Sequence, residues 1–122
     1  VSLPYNGFSP AERERAGRIQ TRAFRDGHPK PTACRACGYT HGVIAHLEDY
    51  DRPLEAILPL CGACHRVVHA RFTQPDPFRL RWEAILAGRL PHMGGVRPTE
   101  DVLGDIDAGL YVPESRREAA SR

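Results

Sequence analysis

Cys34-Arg35-Ala36-Cys37 and Cys61-Gly62-Ala63-Cys64 hold all four cysteines of the 122-residue chain, and His65 follows the second pair directly. Each Cys-x-x-Cys spacing lets two thiolates reach one ion, and four soft thiolates in a tetrahedral array favour zinc. With 23 residues between the pairs, the pattern predicts a structural zinc site made of Cys34, Cys37, Cys61 and Cys64. Two other chemistries use the same letters. A thioredoxin-type redox pair is the first competing reading. Cys61-x-x-Cys64-His65 also matches the attachment signature of c-type haem, with Met93 as the single methionine for an axial position. Haem would leave Cys34 and Cys37 without a role and would need export, for which the N-terminus shows no signal pattern.

Histidines form the next layer. His65 and His69 are four apart on the helix expected from Cys61, so their imidazoles share a face and can hold a second ion. His46 lies in the strand candidate Val43-Ile44-Ala45-His46-Leu47, which should run beside that helix. If the strand extends to residue 48, Ile44, His46 and Glu48 share a face by alternation. Glu48, ahead of Asp49, then brings a carboxylate to the ion. The competing reading makes Glu48-Asp49-Tyr50-Asp51 a solvated turn. Taken singly, His65 and His69 read as a zinc ligand and a surface residue, and His46 as a hydrogen-bonded core residue. Taken together, the strand and helix positions agree on a site. His28, His41 and His92 fall in loop-like segments and receive no role.

The elements that must carry these residues are legible in outline. Ser9-Pro10-Ala11-Glu12 has the capping-box signature, predicting a helix from Pro10 to about Arg25 that stops at Gly27. Ala16, Ile19 and Ala23 should point inward, and Arg15, Arg18, Arg22 and Arg25 form a stripe on another face. Residues 28–33 are a linker, and Cys34 to Gly38 is a tight zinc-knuckle turn. A second strand is expected over 56–60, with Pro59 placing it at an edge, and then a helix from Cys61 to about Phe72. Thr73 to Pro77 is a breaker. Phe78, Trp82, Ile85 and Leu86 define a helix ending near Gly88, with the Phe78/Trp82 pair in the core. Residues 91–98 form a loop, Thr99 caps a short helix to about Ala108, and a tail follows. The expected organisation is one domain over 1–98 (helix 10–26, zinc-bound core 32–72, packing helix 77–89) and an acidic helix and tail over 99–122.

Eleven prolines and eleven glycines limit what such a chain can pack, so a metal staple is useful whatever the function. Net charge is +2, divided as 14 basic against 9 acidic residues over 1–98 and 3 against 6 over 99–122. A basic body with an acidic end suits a nucleic-acid partner. The Arg15, Arg18, Arg22, Arg25 stripe is the first candidate for phosphate contact, with Arg66 and Arg71 on the metal-site helix. A solvated helix face is the competing reading for the stripe. No apolar stretch reaches transmembrane length, which predicts no membrane partner. Paired thiols without a secretory signal point to metal ligation in the cytoplasm rather than to disulfides.

Across Cys34-x-x-Cys37, Ala45-His46 and Leu60-Cys61-x-x-Cys64-His65-x-x-x-His69, about a third of its length, the chain resembles the HNH, or ββα-metal, endonuclease superfamily. The resemblance implies an α+β treble-clef centre flanked by helices and a metal-dependent hydrolase acting on DNA. His46 takes the general-base position. His65 and His69 take the ligand positions of a catalytic divalent ion such as Mg²⁺, Mn²⁺ or Ni²⁺; outside the family pattern, Glu48 is the first candidate to complete its sphere. Two positions depart from the family pattern. Ala45 stands where a ligand usually precedes the base, and Ala56, beside Glu55, stands where an Asn usually orients it. The alternative from another class is a zinc-stabilised DNA-binding or adaptor module without catalysis.

Overall fold

A computed structural model of the protein describes residues 3–120. Among them, a two-stranded sheet and five α-helices form a small α+β fold around a buried four-cysteine cluster. Helix α1, Pro10–Arg25, starts on a complete capping box: Glu12 N–H donates to Ser9 Oγ, and Ser9 N–H donates to the Glu12 carboxylate. Of its inward face Ala16 is fully buried, whereas Ile19 and Ala23 are half-buried. The four stripe arginines are exposed.

The first cysteine pair sits in a tight turn. Gly38 N–H donates to the Cys34 carbonyl at 2.9 Å, with Gly38 at a φ of 81° that a side chain would resist. Arg35 N–H donates to the Pro59 carbonyl at 2.8 Å, docking this turn on the second strand. Strands β1, Ile44–His46, and β2, Leu58–Leu60, pair antiparallel with Ala45 opposite Pro59. In a sheet of two strands both are edges, so Pro59 removes no inner ladder bond. Both strands are shorter than expected. Ala56 N–H is committed to the Arg52 carbonyl in a turn, and the chain bends away after His46.

Helix α2, Gly62–Ala70, ends before Phe72 in a tighter turn, where the Arg71 N–H donates to the Val68 carbonyl and the Thr73 N–H to the Ala70 carbonyl, each three residues back. Helix α3, Pro75–Leu86, begins inside the expected breaker. Pro75 and Pro77 both lie in its first turn, where backbone N–H groups have no helical partner to lose. Phe78 and Ile85 are buried, and Trp82 packs against them. Residues Pro91–Met93 make a single 3-10 turn inside the expected loop.

Helix α4, Val102–Asp107, is capped by Asp101, which accepts from Gly104 N–H at 3.0 Å; Thr99 does not cap it. Val102, Leu103 and Ile106 enter the same core as the cysteines, Leu60 and Val68. Gly104 is required there, since a Cβ would stand 2.8 Å from Trp82 Cζ2. Helix α5, Glu114–Ala120, occupies part of the expected tail, and its Arg116 bonds the Glu12 carboxylate at 2.6 Å. A second core cluster, Tyr5, Phe8, Ala16, Leu47 and Tyr50, holds α1 against the segment after β1. No helix among the described residues is long and apolar enough to cross a membrane.

Candidate metal centres

The knuckle turn supplies Cys34 and Cys37, while Cys61 at the N-cap of α2 and Cys64 in its first turn supply the rest. All four are buried, with their sulfurs within 4.8 Å of one another. The Cys61 thiol faces this cluster instead of capping its helix. Crowding makes Cys34, Cys37 and Cys64 compete for protons. Hydrogen bonds from Cys37 and Cys64 hold the Cys34 thiol far below its usual range, while bonding to Cys34 raises Cys37 to about 11 and pushes Cys64 higher still. A dication removes this conflict, because every thiol can then ionise. Arg81, from α3, donates through Nε to Cys64 Sγ at 3.1 Å and brings Nη2 to 3.7 Å from Cys61 Sγ. Four buried sulfurs beside a fixed guanidinium fit a zinc ion carrying excess thiolate charge. His92, given no role from sequence, approaches the Cys37 carbonyl at 3.0 Å through Nε2.

A second ligand group forms where β1 ends against α2. His46, His65 and His69 bring one ring nitrogen each to within 4.8 Å of the others. The His46 ring meets His65 and His69 edge-on, with centroids 5.1 and 4.9 Å away. Burial, followed by the neighbouring His46 and Arg13, lowers His65 to about 4. Burial, His46, His65 and Arg13 lower His69 to about 3. Both imidazoles are therefore neutral at physiological pH, each with a lone pair to offer an ion. His46 is 2% exposed, and its Nδ1 is buried without a hydrogen-bond partner among the described residues. An orphaned nitrogen beside two neutral imidazoles is the arrangement a metal or its bound solvent would satisfy.

Glu48 stands elsewhere than expected. It follows the bend after β1 and lies behind His46, with Oε2 2.5 Å from His46 Nε2. Tyr5 Oη also donates to Oε2, while Arg71 Nη2 and Asn6 Nδ2 donate to Oε1 at 2.6 and 3.1 Å. A carboxylate has about four acceptor positions, and here all are used. Burial alone would raise the Glu48 carboxyl, but His46 and Arg71 together carry it below the ordinary range. Asp49 is buried as well and turns its Oδ1 to the Asp51 N–H at 3.0 Å.

Arg71 corrects the expected phosphate contacts. It is buried at the end of α2, paired to Glu48 and donating to Tyr5 Oη at 2.6 Å, because the turn after the helix points it inward. Arg66 is exposed on α2, as are the four stripe arginines on α1. Three participants escaped the sequence reading. Tyr5 and Asn6 belong to the turn Tyr5-Asn6-Gly7-Phe8, closed by Phe8 N–H to the Tyr5 carbonyl at 2.9 Å. Asn6 and Gly7 both have positive φ, 57° and 82°, so the Asn-Gly pair was an available hairpin-turn signal. Arg13 lies 5.3 Å from the centroid of the Tyr5 ring, which itself sits 4.4 Å from the His69 ring. Comparison with family models, curated proteins and solved structures finds no match for this chain.

Proposed function

We propose that the chain is a divalent-metal-dependent endonuclease that hydrolyses DNA phosphodiesters with an HNH-type site. The observation that carries this reading is the convergence of His46, from the end of β1, with His65 and His69 on one face of α2. The order turn, strand, strand, helix, with the last cysteines opening the helix, supports a treble-clef ββα-metal centre. In this reading Cys34, Cys37, Cys61 and Cys64 hold a structural zinc, and His65 and His69 hold the second ion. That ion acts as a Lewis acid, neutralising charge on the scissile phosphate and the leaving oxygen.

His46 takes the proton of the attacking water at Nδ1, the ring atom with no protein partner. Burial keeps His65 and His69 unprotonated and therefore ready to ligate at neutral pH. Among Mg²⁺, Mn²⁺ and Ni²⁺, a site offering imidazole nitrogens favours Ni²⁺, since Mg²⁺ prefers oxygen. Exposed Arg15, Arg18, Arg22, Arg25 and Arg66 supply cations for the DNA backbone, and four or more such contacts would make binding fall steeply with salt.

The test is nicking of a supercoiled plasmid by the zinc-loaded chain with each of the three ions. The reading expects nicked circles, most with Ni²⁺, and their loss in H65A and H69A. If no ion supports cleavage while the chain still binds DNA, it is a binding module and the nuclease reading fails.

A further inference from the structure

We infer that Glu48 is a positioning residue for His46 and stands outside the ion's coordination sphere, an inference that rests on the proposed role of His46 as general base. The contact geometry makes the distinction. His46 Nε2 and Glu48 Oε2 are 2.5 Å apart, both side chains 1% exposed. Were the His46 proton on Nδ1, two lone pairs would face each other at that distance with no water between them. In the neutral ring that the base role requires, the proton therefore belongs on Nε2, donated to Glu48, and the Nδ1 lone pair is left free. That atom is the buried one without a partner. It belongs to the ring that meets His65 and His69 edge-on.

Glu48 is itself fixed. Arg71 and Asn6 occupy Oε1, while Tyr5 and His46 occupy Oε2. Asn6 Nδ2 also donates to the Glu48 backbone carbonyl at 3.1 Å, locking the bend as well as the carboxylate. To become a ligand, Glu48 would have to break at least one of these four buried contacts. To hold His46, it need not move. Carboxylate–imidazole pairs of this form set tautomer and orientation, and they stabilise the imidazolium that forms during proton transfer. In the step itself, the proton leaves the water oxygen for Nδ1. The freed electron pair forms the new O–P bond, and the P–O3′ bond breaks with its pair on O3′, which takes a proton from solvent. Nε2–H stays with Glu48 throughout. The orienting function thus comes from Glu48.

Two measurements on the zinc-loaded full chain test this. Long-range ¹H–¹⁵N correlation of ¹⁵N-histidine-labelled wild type reads the tautomer directly and needs no variant. The expected result is a protonated Nε2 and a bare Nδ1 on His46, and an Nδ1–H tautomer overturns the inference. Calorimetric titration with Ni²⁺ compares wild type with E48Q, which keeps the shape of the side chain and whose fold is checked by retained zinc. Unchanged Ni²⁺ affinity with a lost or mixed His46 tautomer supports positioning; a fall of tenfold or more in Ni²⁺ affinity makes Glu48 a ligand. Cleavage by E48Q should drop on the order of 10³–10⁴-fold, as when an amide replaces an orienting carboxylate. If wild type cleaves nothing, the nuclease reading fails by itself, while tautomer and Ni²⁺ affinity still decide the place of Glu48.

Discussion

Arg71 Nη2 lies 2.6 Å from Glu48 Oε1, with both side chains almost wholly out of water, 6% and 1% exposed. This pair ties the end of α2 to the bend after β1, and so fixes the two elements that carry the histidines. Removing Arg71 strands a buried carboxylate charge. R71M should therefore cost about 3–5 kcal/mol, the usual penalty for breaking one side of a buried pair. Urea denaturation of the zinc-loaded protein checks this. An R71M/E48L double variant should recover part of the loss, since it removes both charges.

The proposed zinc site predicts a different failure. Cys34→Ser removes one of four buried sulfurs and should leave the chain unfolded or strongly destabilised at neutral pH, because zinc bound at such a site would supply folding energy. Far-UV circular dichroism with zinc analysis decides it. A stable, folded variant, or wild type without zinc, would count against the site.

Arg81 sits on the cysteine cluster through a 3.1 Å contact to Cys64, where it would offset the excess thiolate charge of a zinc-loaded site. R81A should release zinc to a chelator about 10–100-fold faster, the usual scale for losing an outer partner of a ligand. An unchanged release rate would make Arg81 a packing residue only.

The histidine pair has a distinctive acid dependence. His65 and His69 are lowered to about 4 and about 3 in the fold, burial being the first cause. Between about 6.5 and 3 the unfolded chain takes up protons that the native one refuses, so their contribution to stability is present above about 6.5 and is lost as pH falls through that window. Ion binding follows the opposite boundary. An exposed histidine pair would lose roughly tenfold in affinity between pH 7.5 and 6 by proton competition. Ni²⁺ titrations at those two pH values should show almost no such loss here.

Much of this was readable from local spacing. The capping box at Ser9, the two thiol pairs, and the i, i+4 placement of His65 and His69 depend on near neighbours, and each stands where it was expected. Glu48 did not follow from spacing because its partners are remote: Tyr5 is 43 residues away and Arg71 is 23. Alternation put Glu48 on the His46 face, but β1 ends at His46 and a bend folds the carboxylate behind the ring instead. Arg66 and Arg71 looked alike as basic residues on one helix, yet α2 ends between them and turns only the second inward. Thr99 and Asp101 are both good caps; the choice fell to the register that seats Val102, Leu103 and Ile106 in the core. Nothing in the sequence marks Arg81, which meets the sulfurs only once α3 is packed on α2.

The central claim is that His46 acts as the base in a reaction centre that His65 and His69 supply with an ion. Its most direct test compares nicking of supercoiled plasmid by zinc-loaded wild type and His46→Ala in Ni²⁺, with Ni²⁺ affinity measured on both. The account predicts a loss of about 10²–10⁴-fold in cleavage, the range of a general base, with the ion still bound by the variant. Equal nicking by the two proteins, or loss of the ion along with His46, would contradict it.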